Sequence, residues 1–229
     1  MKNFSSMKKT ILPILFALLS ILQPLYCEIK GKVDIGPILI DIDILESGKT
    51  IDKQHMKGVR GDSTIVLWKG IFIKPSYTWA TGDGRLSAGG VGIGQYVPLG
   101  DKWTLMPSVG ISFSLLTSNI DIEPLGLSDL TQKFKSRNPY IAIDFTYLLA
   151  EKWTLMGTVQ YAWCRTETTI KSVFSDKSRS VGPNYSLGID YSLNKNWSIT
   201  FAGGYNISLS KEKHGIRAKG IKLGLAYYF

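Results

Sequence analysis

Large apolar residues recur at every second position along most of this chain, and the positions between them are small or hydroxylated. Trp153, Leu155, Val159, Tyr161 and Trp163 alternate with Thr154, Met156, Thr158, Gln160 and Ala162. Trp103, Leu105, Val109, Ile111 and Phe113 alternate in the same way with Thr104, Ser108, Gly110, Ser112 and Ser114, as do Trp197, Ile199, Phe201, Tyr205 and Ile207 with Ser198, Thr200, Ala202, Asn206 and Ser208. Successive side chains of a strand point to opposite faces, so each segment predicts a strand with one greasy face and one small polar face. The segments also share a local repeat. Lys102-Trp103-Thr104-Leu105-Met106 recurs as Lys152-Trp153-Thr154-Leu155-Met156, and more loosely as Asn196-Trp197-Ser198-Ile199-Thr200. Each copy follows a short polar turn, at Pro98 to Asp101, Ala150-Glu151 and Asn194-Lys195.

These faces are inverted relative to a soluble sandwich or barrel, where bulky residues fill the core and charged ones meet water. Ser, Thr and Gly opposite Trp, Leu and Ile suit lipid outside and a narrow polar lumen inside. In a bilayer every backbone polar group must be paired, and a closed barrel is the way strands achieve this. The pattern therefore predicts an all-β, transmembrane, antiparallel up-and-down β-barrel. Counting back from the C-terminus gives strands near 216–229, 196–210, 181–193, 152–166, 138–149, 102–117, 86–98 and 64–80, eight in all. Short Trp-flanked turns then alternate with longer connections at 118–137, 167–180 and 211–215, with Thr81-Gly82-Asp83-Gly84 as a short first loop on the same side. Short turns face the periplasm, which makes Trp103, Trp153 and Trp197 part of an aromatic girdle at that interface. Trp68 does not share their registry. Residues 28–62 stand outside the eight strands, although Ile38, Ile40, Ile42 and Ile44 alternate with Leu39, Asp41 and Asp43 as a strand would. Bacterial barrels have even strand counts, so this segment is expected in the periplasm or lumen, or as an extra strand, with a ten-stranded barrel as the alternative.

The N-terminus sets the compartment. Lys2, Lys8 and Lys9 precede an apolar stretch from Ile11 to Leu22, which ends near Gln23-Pro24-Leu25-Tyr26-Cys27. This is a secretory signal peptide over residues 1–27, cleaved after Cys27; a retained, acylated Cys27 is the rival expectation. The expected organisation is signal peptide 1–27, N-terminal segment 28–62 and barrel 63–229. The mature chain keeps 24 basic against 18 acidic residues, a net +6. In an exported protein that excess points to membrane phosphates rather than nucleic acid. With Cys164 the only remaining cysteine, no internal disulfide is expected.

Ile221, Leu223, Leu225, Tyr227 and Phe229 alternate with Lys222, Gly224, Ala226 and Tyr228, and the chain ends on the aromatic. This terminus resembles the assembly signal of bacterial outer-membrane barrels, which implies the barrel-assembly machinery as a partner. In size and layout, residues 64–229 resemble the eight-stranded barrels of the OmpA membrane domain, OmpX and opacity-protein type. The resemblance is architectural and implies the outer membrane of a Gram-negative cell.

Two glycine motifs mimic nucleotide sites. Gly90-Val91-Gly92-Ile93-Gly94 lies in a strand with no helix after it, so its glycines are read as making room in a crowded lumen. Gly48-Lys49-Thr50 would place Asp43 where a phosphate loop has its first glycine, and a carboxylate there repels phosphate. Projected inward, the alternation puts Lys74, Asp144, Asp190 and Lys222 in the lumen, with Tyr140, Gln160 and Tyr228, as a charge-balanced network that seals the interior. Of the histidines, His55 lies in the unassigned segment and His214 in the last outer loop above Ser208 and Ser210; neither stands in an arrangement that resembles an outer-membrane lipase or protease site. No catalytic residues, metal or cofactor are expected. Lys211, Lys213, Arg217 and Lys219, with Glu212 as the one acid among them, form a basic outer loop suited to lipopolysaccharide phosphates. The expected role is structural or surface-interacting: envelope stability and display of external loops to host or surface ligands. A narrow, porin-like passive pore is the alternative, and a lipid-modifying enzyme the third.

Overall fold

The computed structural model describes residues 30–122, 127–170 and 174–229. The expected signal peptide, Cys27 included, lies outside the described residues. The strands are β1 (Lys30–Glu46), β2 (Lys49–Val66), β3 (Ile71–Gly82), β4 (Gly84–Gln95), β5 (Val97–Leu99), β6 (Trp103–Ile122), β7 (Leu127–Ala150), β8 (Trp153–Ile170), β9 (Phe174–Ser192), β10 (Trp197–Leu209) and β11 (Gly215–Tyr228). Neighbours in sequence pair antiparallel, β1 pairs with β11, and both β4 and β5 pair with β6. Short β5 continues the line of β4 past Tyr96, so the described residues form a closed ring of ten staves.

The all-β up-and-down barrel expected from the pattern is present, with the alternative count of ten strands rather than eight. The segment expected in the periplasm or lumen, or as an extra strand, forms most of a long hairpin of the barrel wall, registered from Lys30 opposite Val66 to Glu46 opposite Lys49. Its tight turn places Ser47 (φ 49°) and Gly48 (φ 80°) in the left-handed region. The pattern was hard to read because the upper half of β2, Asp52-Lys53-Gln54-His55, is polar on both faces. The strand expected over 64–80 also crosses a second turn. Residues 64–66 complete β2, and Trp68–Gly70 is a single 3-10 turn with Lys69 (φ 52°) and Gly70 (φ 74°) left-handed. Trp68 therefore has no strand registry to share. An even count returns both ends of the wall to one rim, where Gly31 and Phe229 exchange backbone hydrogen bonds of 3.0 and 3.1 Å.

The expected long loops 118–137 and 167–180 are also mostly strand, because β6 runs to Ile122, β7 starts at Leu127, β8 runs to Ile170 and β9 starts at Phe174. Above the lipid the outward residues turn from apolar to charged while the ladder continues. Hydropathy alternation ends there, but backbone pairing does not.

Burial confirms which face meets lipid. Outward Ile35 and Leu187 are each 57% exposed and Phe201 and Leu223 53%, whereas inward Ser198 and Ala226 are 0% and Asp190 1%. A soluble monomer does not leave so continuous an apolar band in water. At the rim of short turns, Trp103 packs on Tyr147 (4.4 Å between centroids), Trp153 on Tyr191 (4.7 Å) and Trp197 on Tyr227 (4.9 Å). Each pair joins direct cross-strand neighbours, and such contacts add about 0.5–1.5 kcal/mol beyond burial.

Candidate functional site

A ten-stranded lumen is about a quarter wider than an eight-stranded one, because diameter grows roughly linearly with strand number. Small hydroxyls cannot fill it, and long charged side chains reach across instead. Lys74 on β3 meets Asp144 on β7 at 2.6 Å, spanning two intervening staves, and Thr158 donates to the same carboxylate at 2.5 Å. Lys32 on β1 reaches Asp190 on β9 at 2.5 Å, again past two staves; Asp190 also accepts from Thr200 and Tyr228, each at 2.5 Å. Lys222 lies 2.9 Å from Asp34 and 3.0 Å from Asp62, and Asp62 takes a forked contact from Arg60 at 2.8–3.0 Å.

Of the four charges placed inward from sequence, Lys74 and Asp144 meet each other, while Asp190 and Lys222 meet partners that sequence reasoning missed. Lys32, Asp34, Arg60 and Asp62 all belong to the hairpin left outside the barrel. Their signal was present: Lys32 and Asp34 alternate with Val33 and Ile35, as Arg60 and Asp62 do with Val59 and Gly61. Tyr140 also points inward. A Cβ on Gly92 would stand 2.6 Å from its hydroxyl, and one on Gly110 2.5 Å from its ring, so these two glycines make the room Tyr140 occupies.

Toward the outer end the lumen turns apolar. Ile38 and Ile42 of β1, Met56 of β2, Ala80 of β3 and Leu116 of β6 form a buried cluster, flanked by Leu86, Phe134, Ile216 and others. Seven of the ten staves contribute. Ile38, Ile40, Ile42 and Ile44 of β1 thus face the interior with Asp34, while Ile35, Leu39, Asp41 and Asp43 face outward.

Two of the four basic residues read from sequence at this end stand beside Asp43 and Asp41. Arg217 pairs with Asp43 at 2.6 Å and donates to Thr50 at 3.2 Å. Lys219 is the cross-strand neighbour of Asp41, which also contacts His55 Nδ1 at 2.7 Å. Lys211 and Lys213 stand exposed in the turn before β11. His214 lies 4.0 Å from Glu212. Among the described residues no hydroxyl or thiol is hydrogen-bonded to either imidazole, and no group of three metal-ligating side chains occurs.

A closed antiparallel ring with an apolar outer band and an aromatic girdle defines a transmembrane barrel. The chain belongs to the outer membrane protein beta-barrel domain family, whose model matches residues 15–229, and its place is the bacterial outer membrane. Its fold is similar to that of the outer membrane protease OmpT from Escherichia coli (14% identity, 92% of this chain and 100% of that one, TM-score 0.55). It is also similar to the translocator domain of the autotransporter NalP from Neisseria meningitidis (9% identity, 98% and 97% covered, TM-score 0.51) and to an outer membrane channel from Pseudomonas putida F1 (11% identity, 91% and 98% covered, TM-score 0.50). At such identities the likeness is one of fold. No curated protein matches the sequence.

Proposed function

We propose that this protein is a barrel with a closed interior that acts through its outer wall and surface ribbons, stabilising the outer membrane and presenting its extracellular end to surface ligands. One observation carries this reading: inward side chains meet one another in two successive layers of the lumen. The periplasmic half holds the ion pairs Lys32–Asp190 and Lys74–Asp144, which each span two intervening staves, and the neighbouring-strand pair Lys222–Asp34, and the outer half holds the Ile38, Ile42, Met56 and Leu116 cluster. A hydrated ion must shed water to pass an apolar constriction, so such a layer opposes conduction more strongly than polar lining does. The charge layer below resists rearrangement, because removing one member strands its partner in low dielectric, at a cost of about 3–5 kcal/mol.

Narrow passive conduction is the competing function, and the protease activity of OmpT raises an enzymatic one. Against the second, His55 and Asp41 are both more than half exposed on the outer wall, without a contacting nucleophile among the described residues. Liposome swelling in an isosmotic small sugar tests the main reading. Vesicles carrying the folded protein should swell no faster than protein-free vesicles; rapid swelling would establish a pore.

A further inference from the structure

The outer wall carries a row of three arginines with no acid to meet them. In the β7, β8 and β9 ladder, Arg137 is the direct neighbour of Arg165, and Arg165 of Arg179. All three are exposed and on the outward face. The next row toward the extracellular tip is Lys135, Glu167 and Lys177, which supplies the single carboxylate of the patch. Among the described residues none of the three arginines forms an ion pair, and Arg137 rests over the Phe113 ring at 5.6 Å.

Like charges directly opposite in a ladder repel and destabilise the sheet. Adjacent strands stand about 4.8 Å apart, so this row confines three guanidinium groups to a strip roughly 10 Å wide. Nothing in the fold demands this. Four staves around the ring, the corresponding row is Arg217, Asp43 and Lys53, with an acid in the middle. The fold accepts alternation at that position and does without it on β8.

Height identifies what meets the row. From Trp153 in the periplasmic girdle to Trp163 is ten residues, roughly 33 Å of strand, or about 25 Å of membrane at the usual tilt of about 40°. Arg165 is the next outward residue beyond Trp163. Its neighbours on the lipid side are Pro139, Trp163 and Val181. The arginines therefore point sideways at the level of outer-leaflet headgroups and not upward into the medium. Guanidinium matches phosphate through paired, charge-assisted hydrogen bonds and sheds its water more easily than ammonium does.

We infer that Arg137, Arg165 and Arg179 form a binding site for the phosphate groups of an outer-leaflet phosphoglycolipid, held against the β7–β9 face of the barrel. The site requires the outer-membrane placement and orientation but not a closed lumen.

The test uses the full mature barrel in neutral detergent, its folding verified by the mobility difference between unheated and boiled samples. Binding of diphosphorylated lipid A is titrated for the wild type, for R137Q/R165Q/R179Q, and for R217Q/K219Q on the neutral side. The proposal expects affinity to fall at least tenfold in the triple variant and less than twofold in R217Q/K219Q, with dephosphorylated lipid A binding weakly to all three. The single variant R165Q guards against a folding artefact. It should unfold at higher denaturant than wild type without lipid, because repulsion is relieved, and gain less than wild type when diphosphorylated lipid A is added. Equal lipid affinity in wild type and triple variant would overturn the proposal. So would displacement of the lipid by inorganic phosphate or by a heparin fragment at micromolar concentration, since a free anion or soluble polyanion would then be the preferred occupant.

Discussion

At the level where the barrel leaves the lipid, its two sides handle positive charge in opposite ways. On the β11–β1–β2 side, Arg217, Asp43 and Lys53 form one cross-strand row and Lys219, Asp41 and His55 the next, so each cation has a carboxylate beside it. On the β7–β8–β9 side, Arg137, Arg165 and Arg179 form a row of like charges. Both sides are continuous antiparallel ladder on the outward face of the wall, and the paired side is the more buried: Arg217 and Asp43 are half-buried where the three arginines are exposed. The difference teaches that uncompensated charge here is a feature of the surface rather than a need of the sheet. The lumen supports this, because its charges, which have no external partner to wait for, are paired: Lys74 with Asp144, Lys32 with Asp190 and Lys222 with Asp34.

The largest effect should come from breaking pairing where no lipid or solvent can compensate. Asp190→Ala removes the acceptor shared by Lys32, Thr200 and Tyr228 and should cost about 3–5 kcal/mol in urea unfolding of the folded barrel. At the rim, Asp43→Arg turns the neutral row into a copy of the basic one. The lost partly buried pair with Arg217 and the new repulsion should together cost about 1–2 kcal/mol in phosphate-free detergent. The converse change, Arg165→Glu, converts the basic row into an alternating one and should stabilise the barrel by about 0.5–1 kcal/mol under the same conditions. If both rim changes destabilise alike, the contrast between the two sides is a matter of packing and not of charge. The smallest effect is that of salt. Raising ionic strength from 0.05 to 0.5 M should stabilise the wild type by a few tenths of a kcal/mol and leave Arg165→Glu unchanged or slightly weakened, because screening removes repulsion in one and attraction in the other.

What the sequence revealed follows the same division. The lipid-facing band is legible because its residues alternate with few breaks: Trp153 to Trp163, interrupted at Gly157, and Ile221 to Phe229 announce an outward face, and the outer-membrane terminus follows from them. Two things hid the strand number. The β1–β2 hairpin turns on Ser47-Gly48 inside a segment whose upper half is polar on both faces, and the break at Trp68–Gly70 lies within an apolar stretch that reads as one strand. The lumen was half legible for the same reason. Lys74 and Asp144 lie on strands whose alternation points them inward, but the partners of Asp190 and Lys222 lie on the hairpin whose pattern is obscured. The apolar layer was missed because Ile38 and Ile42 look like lipid-facing residues until the register of β1 against β11 puts Leu39 outside. The arginine row was out of reach of sequence, since residues 137, 165 and 179 become neighbours only through the register of three strands. By contrast, the basic loop that drew notice, Lys211 to Lys219, is contiguous in sequence and meets its acids only in the fold.

The proposed function requires a shut interior and a working outer wall. Single-channel recording in planar bilayers tests it most directly, with the wild type beside a variant carrying Ile38→Ser and Leu116→Ser to wet the apolar layer. The account predicts no steady unitary current from the wild type and brief or sustained openings from the variant. A stable, ohmic current from the wild type would contradict it.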